Sequence, residues 1–256
     1  MTIQSISSEE EIRYNRQLIL PEIGLQGQIK LKQARVLIAG VGGIGSVSAY
    51  YLAAAGIGSI RIADGDCVET GNLNRQILHG TGDIGKPKTL SALEKLRNLN
   101  PYCAVEPIQE IISDENVLDM VEGCSVILDG TDNLNVRKIL NRASILKDIP
   151  FVYGGVEGFS GMVTTFVPGR TLCLECFFSR DTGQKDPIGI IGAVPGVIAS
   201  IQSLEAIKLI LGIGKLLTNK LLVFNGMGMS FRKIEMEKNP DCAICGNNAD
   251  IGLSSG

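Results

Sequence analysis

The sequence predicts an α/β protein: a Rossmann-like, mostly parallel sheet covered by helices on both faces and extended by antiparallel strands in its C-terminal half. Three observations carry this expectation. Apolar strand-like runs alternate with helical ones from residue 35 to about residue 150, the pattern of a parallel sheet with helical crossovers. The first run, Arg35-Val36-Leu37-Ile38-Ala39, leads directly into Gly40-Val41-Gly42-Gly43-Ile44-Gly45 and a helix-like segment. That is the strand, tight turn and helix N-terminus that present backbone N–H groups to phosphate. Beyond residue 150 two strand-like runs are separated by glycines at 154, 155, 158 and 161, which reads as an antiparallel addition to the sheet.

The elements follow in order within one domain spanning 1–256. A helical arm covers residues 1–34. Ser7 and Ser8 each precede a glutamate by three positions, a capping-box pattern for a helix through Arg13-Tyr14-Asn15-Arg16-Gln17, with Arg13 and Arg16 on one face. A nucleotide-binding half covers 35–150. It holds strands at 36–39 and 60–63, the second ending at Asp64; helices at 44–55 and 88–99; a strand at 104–108; and a strand at 125–128 running into Asp129-Gly130-Thr131-Asp132-Asn133 before a helix at 133–146. The remainder, 151–256, carries strands at 151–155 and 162–167, a polar linker at 179–187 expected to be mobile, a helix at 197–211, and strands at 221–224 and 231–236.

Composition narrows the function. The 256 residues, 45% apolar and 20% charged, suit one large globular domain. A formal charge of −3 and no basic run provide no footprint for nucleic acid or an anionic membrane. The N-terminal residues lack the basic start and apolar core of a secretory signal, so a cytosolic location is expected. The most apolar stretch, 190–213, is interrupted by Pro195 and carries Gln202, Glu205 and Lys208, so it reads as a buried helix rather than a membrane span.

Seven cysteines in a reducing compartment do not suggest a disulfide framework. Four of them form two C-x-x-C units, Cys173-Leu174-Glu175-Cys176 and Cys242-Ala243-Ile244-Cys245. Two such units complete a closed four-thiolate shell around a structural zinc, which would close a loop of about 65 residues and remove unfolded-state entropy. Reduced buried thiols or a redox pair are the alternatives. Cys67, Cys103 and Cys124 are expected to be inert, and His79, the only histidine, is expected at the surface.

Ligands of open α/β sheets bind outside the carboxyl ends of the strands, where Gly43, Asp64 and Asp132 should converge. The glycine loop with Asp64 alone would fit a nicotinamide-dependent oxidoreductase. The chain adds Asp66, then Asn72-Leu73-Asn74-Arg75-Gln76, Lys88 and Asp132, the amides, cations and carboxylates that phosphate and metal chemistry use. Asp132 could equally cap the following helix, with Asn133 as a turn residue.

These residues, together with Arg13-Tyr14-Asn15-Arg16-Gln17, Gly85-Lys86-Pro87-Lys88, Thr131-Asp132-Asn133 with Arg137, and both C-x-x-C units in order, resemble the MoeB/ThiF/HesA family of adenylyltransferases. These are relatives of ubiquitin-activating enzymes, and MoeB-type molybdopterin-synthase carrier activation is the nearest pattern. The resemblance implies ATP-dependent adenylation of the C-terminal carboxylate of a ubiquitin-like sulfur carrier protein with a Gly-Gly tail. It implies that Asp64 holds the ribose, that Gly43 lets the backbone approach the phosphates, and that Asn72, Arg75 and Lys88 grip them. Asp132 would bind Mg2+, and Gly42, Asp66, Gly71, Leu73, Asn74, Gln76 and Asn133 would complete the nucleotide site. Arg16 would reach the neighbouring subunit's site as an arginine finger, which requires a homodimer. Residues 177–192 contain no cysteine, so a covalent enzyme–carrier intermediate at the family's usual place is not expected, and thiazole or other thio-metabolite pathways remain open beside the molybdopterin one. A non-catalytic, zinc-stabilised binding subunit is the reading outside enzymology.

Overall fold

A computed structural model describes residues 5–178 and 189–246; the linker expected at 179–187 lies outside the described residues. Eight strands form one sheet in the order β3-β2-β1-β4-β5-β6-β7-β8: β1 Arg35–Ala39, β2 Ser59–Ala63, β3 Ala104–Ile108, β4 Val126–Asp129, β5 Phe151–Glu157, β6 Ser160–Phe166, β7 Lys220–Asn225 and β8 Ser230–Glu235. From β3 to β5 the neighbours are parallel, and from β5 onward they are antiparallel, as the sequence predicts. The strand order reverses between β1 and β4, so the crevice of this sheet opens above their carboxyl ends. Register aligns those ends: Ala39 pairs with Ala63 on one side and with Asp129 on the other. Gly40, Asp64 and Gly130 therefore leave the sheet side by side.

β1 is buried on both faces, which explains its unbroken apolar run. Val36 and Ile38 pack on one side with α3 (Gly43–Ala55), α4 (Lys88–Leu99) and α8 (Ala193–Leu211). Leu37 and Ala39 pack on the other with α5 (Val117–Val121), α6 (Leu134–Leu146) and the short α7 (Leu174–Phe177). Among the described residues α8 alone is long and apolar enough to cross a membrane, yet it lies against β5, β6 and α3. Its buried Gln202 Nε2 donates to the carbonyls of Asp129 and Val152 (both 3.0 Å), and its Glu205 accepts from Thr165 Oγ1 at 2.6 Å. The helix starts earlier than the sequence predicts. Pro195 sits in its first turn, where a missing N–H deprives no intrahelical acceptor.

The N-terminal arm forms α1 (Ser8–Leu18), capped by Ser7 with the reciprocal Glu10 bond, and a second helix, α2 (Gly24–Gln33), that lacks a side-chain cap to announce it. Much of the Arg13–Gln17 motif is anchorage. Arg13 Nη1 donates to Leu99 O at 2.9 Å and its guanidinium lies 5.8 Å from the Tyr102 ring centre. Tyr14 Oη accepts from Asn100 Nδ2 at 2.8 Å, and Gln17 Nε2 donates to Gln28 Oε1 and Ala55 O. These bonds fix α1 at the C-terminal ends of α3 and α4.

Candidate nucleotide site and cysteine cluster

The glycine loop divides its labour among its four glycines. Gly40 turns the chain with φ +84°. A Cβ on Gly45 would lie 1.9 Å from Gly40 O and one on Gly130 would lie 2.3 Å from it, so only glycines let α3 and the β4 end close on the turn. Gly42 and Gly43 then open α3, and no protein acceptor takes the Gly42 N–H among the described residues. Free amides at a helix N-terminus form an anion site.

Asp64 stands at the end of β2, half-buried. Its Oδ2 accepts from Val41 N at 2.9 Å and its Oδ1 from Asp66 N at 2.9 Å. Each oxygen keeps a further lone pair for a ligand hydroxyl. Lys88, the first residue of α4, is buried, and its Nζ bonds Asp66 Oδ2 at 2.8 Å. The structure thereby joins Asp64, Asp66 and Lys88 into one run beside the loop.

Residues 70–72 form a single 3-10 turn, closed by the Leu73 N–H to Thr70 O. Asn72 Oδ1 accepts from Glu69 N at 3.2 Å, which leaves the Asn72 Nδ2 group as its outward donor. Arg75 Nη1 is held by Gly71 O at 2.9 Å and Asn74 Oδ1 at 3.0 Å. A Cβ on Gly43 would lie 3.6 Å from Arg75 Cγ, so the stem of the arginine passes beside the N-terminus of α3. Gln76 is buried with Nε2 3.6 Å from the Gly42 Cβ position, and its Oε1 has no hydrogen-bond partner among the described residues. Leu73 is half-buried. The start of α8 closes this wall: a Cβ on Gly192 would lie 2.2 Å from Asn74 O, a close approach between segments more than a hundred residues apart that no local pattern signals.

At the end of β4 the cap of α6 is not Asp132 but Asn133, expected as a turn residue: its Oδ1 accepts from the N–H groups of Asn135 (2.8 Å) and Val136 (3.3 Å). Asp132 is exposed, with no hydrogen bond among the described residues. Asp129, fully buried, supports the turn beneath it. It accepts from Thr131 N (3.0 Å) and Oγ1 (2.9 Å), and pairs with Arg137 Nε at 2.7 Å. Arg137 also donates to Thr131 O and Gly154 O and lies 5.0 Å from the Tyr153 ring centre. Burial pushes the Asp129 carboxyl above its ordinary range, against the pull of the guanidinium and Thr131. For Arg137 burial works against the charge, and Asp129, Tyr153 and Asp132 together more than offset it. In the sequence Arg137 stands out only as part of a pattern, and nothing there marks Asp129.

His79 corrects another expectation. It is not a surface residue but is 6% exposed, lodged behind the glycine loop with Nδ1 2.9 Å from Ser91 Oγ and Nε2 3.3 Å from Val41 O. Burial lowers its pKa, which keeps the ring neutral at pH 7. Its neighbours in sequence do not signal this, because Ser91 and Val41 arrive from elsewhere in the fold.

Arg16 does not join these groups within its own chain. It is exposed on α1, which docks at the far end of α3; that helix has 13 residues, roughly 20 Å along its axis.

The two C-x-x-C units do meet. The Sγ atoms of Cys173, Cys176, Cys242 and Cys245 all lie within 4.8 Å of one another, with Cys173–Cys242 at 3.8 Å and Cys176–Cys245 at 3.4 Å. A tetrahedral thiolate shell with metal–sulfur bonds of about 2.3 Å needs sulfur separations of about 3.8 Å, so this donor set fits a metal ion. The other cysteines behave differently. Burial pushes Cys103 up to about 12 and Cys124 up to about 11, which keeps both as thiols, while Cys67 is exposed.

The pattern of the ThiF family matches residues 14–244. The chain belongs to the ThiF family. Among its relatives, this ThiF-family chain is 38% identical over 247 residues to a SAMP-activating enzyme E1 of Haloferax volcanii, covering 94% of this chain and 91% of the relative. It is 37% identical to a sulfur carrier protein adenylyltransferase of Thermus thermophilus, covering 94% and 93%. Against the mouse adenylyltransferase and sulfurtransferase MOCS3 it is 38% identical over 96% of this chain but only 55% of that protein. Solved structures agree on the fold: E. coli MccB with ATP superimposes at TM-score 0.79 with 28% identity, covering 91% of this chain and 74% of that one. PaaA superimposes at 0.80 with 27% identity, covering 93% and 77%.

Proposed function

We propose that this protein adenylates the C-terminal glycine carboxylate of a small ubiquitin-like sulfur carrier protein with ATP, releasing pyrophosphate. The observation that carries this reading is the Arg75 stem passing beside Gly43 at the N-terminus of α3, next to a Gly42 N–H that no protein acceptor takes among the described residues, in a chain of nearly the same length as two relatives named as a carrier adenylyltransferase and a SAMP-activating E1.

The chemistry suits a site without an exposed histidine. A terminal carboxylate ordinarily titrates at about pH 3.3–3.7, so at pH 7 it is already ionised and attacks the α-phosphorus without a general base. What the protein supplies is position and charge. Asp64 offers its free lone pairs to the ribose hydroxyls, the Gly42 and Gly43 amides receive phosphate oxygens, and Arg75, the Asn72 amide and Lys88 offset the charge that builds on departing pyrophosphate. Asp132, exposed and without a hydrogen-bond partner among the described residues, fits a magnesium ligand; the ion would neutralise phosphate charge. In a homodimer, Arg16 of one subunit would serve the other subunit's crevice, since it cannot reach its own. Molybdopterin-type activation is the favoured pathway.

Carrier-dependent exchange of labelled pyrophosphate into ATP tests the proposal. Exchange that rises with a Gly-Gly-tailed carrier is the expected result. Its absence with every such carrier encoded nearby, together with tight NAD(H) binding, would favour an oxidoreductase instead.

The four cysteines would hold zinc in the reducing cytosol as a structural ion, because four protein ligands leave no open position. Metal analysis should return one zinc per chain. Cys242→Ser should lower both the zinc content and the thermal midpoint, whereas full occupancy in that variant would rule out the four-thiolate site.

A further inference from the structure

We infer that His79 is a positioning residue for the phosphate loop: held as the neutral Nε2–H tautomer, it anchors the Val41 carbonyl inward and thereby aims the Gly42 N–H into the crevice. Val41 is secured at both ends. Its N–H goes to Asp64 Oδ2 at 2.9 Å, and its carbonyl accepts from Ser46 Oγ at 3.0 Å and faces His79 Nε2 at 3.3 Å. In a trans peptide the C=O and the N–H of the next residue point in opposite directions. A Val41 carbonyl drawn into the interior therefore sends the Gly42 N–H outward, where no protein acceptor meets it among the described residues.

The tautomer follows from the partners of the ring. The Val41 carbonyl can only accept, so at Nε2 the ring is the N–H donor, and Nδ1 is left to accept from Ser91 Oγ, 2.9 Å away. Lys95 Nζ donates to the same Ser91 Oγ at 3.1 Å, and Asp83 also interacts with that hydroxyl. Lys95 is itself paired with Asp83, which accepts from Gly80 N at 2.7 Å. The chain Lys95, Ser91, His79, Val41 consequently ties α4, whose first residue is Lys88, to the loop that faces the same phosphates. Fixing donors before the ligand arrives is what electrostatic preorganisation requires.

The geometric part stands on the unliganded protein, while its consequence for ATP rests on the proposed function. Because His79 is the chain's one histidine, a long-range 1H–15N spectrum of the labelled full chain shows a single imidazole. The expected pattern at pH 7.5 is neutral Nε2–H; an Nδ1–H or imidazolium pattern would overturn the assignment. ATP–magnesium titration of His79→Leu should give a dissociation constant raised about tenfold. His79→Gln, whose amide can replace the Nε2 donor, should recover most of that affinity. Equal ATP affinity in wild type and His79→Leu would refute the positioning role even if the leucine variant melts lower. If wild type binds no ATP, the nucleotide reading of the crevice fails, and the tautomer alone decides the geometric part.

Discussion

Asp132→Ala should reduce carrier-dependent pyrophosphate exchange by about 10²-fold or more while leaving the thermal midpoint where it was. The two halves of that expectation have separate causes. Structurally the side chain is exposed and makes no hydrogen bond among the described residues, and surface changes of that kind cost less than about 0.5 kcal/mol. Under the proposed function it is the exposed carboxylate past the end of β4, beside the glycine loop and within the field of Arg137, that would hold the triphosphate's metal. The neighbouring Asn133 supplies the control. Its Oδ1 caps α6, so Asn133→Ala should cost about 1 kcal/mol of stability and far less activity. Exchange, thermal melts and magnesium dependence measured on both variants separate a ligand from a cap. Asp132→Ala retaining exchange within about twofold of wild type would remove Asp132 from the magnesium site.

How much of this is legible in the sequence depends on how local each feature is. The glycine loop is a continuous pattern whose residues act on one another, and the strand ends Ala39, Ala63 and Asp129 follow from the apolar runs that precede them. The helix at Lys88–Leu99 and the strand at Ala104–Ile108 match their predicted bounds, because Pro101 and the alternating pattern punctuate them. Asp132 and Asn133 are harder: both residue types cap helices well, and only the backbone decides which side chain turns inward. His79 and Asp129 are not legible at all. Their roles come from Ser91, Val41, Thr131 and Arg137, brought in by tertiary packing, and burial of a polar side chain leaves no trace in local periodicity. Arg16 is marked by the family pattern alone, and the structure keeps it from the crevice of its own chain: Arg13, Tyr14 and Gln17 of the same motif pin α1 to the far end of α3.

Asp129→Ala should be the most destabilising single change near the site, at about 3–5 kcal/mol, read as a fall in the urea midpoint. Asp129 is fully buried and Arg137 nearly so, with side-chain exposures of 0% and 14%. Removing the carboxylate leaves a guanidinium in a poorly solvated place and strips Thr131 of both the acceptor for its N–H and the acceptor for its hydroxyl. Two bonds from Arg137, to Thr131 O and Gly154 O, and its contact with Tyr153 would survive, which keeps the loss below that of a wholly unpartnered charge. Asp129→Asn should cost less than alanine, because its amide oxygen still accepts from Thr131. The double variant Asp129→Leu with Arg137→Met should recover part of the stability, since replacing both members removes the unpaired charge instead of creating it. Activity should not recover with it. The Thr131 turn that carries Asp132 would still lack its support, so a stable double variant with wild-type exchange would show that Asp129 serves the fold alone and not the placement of Asp132.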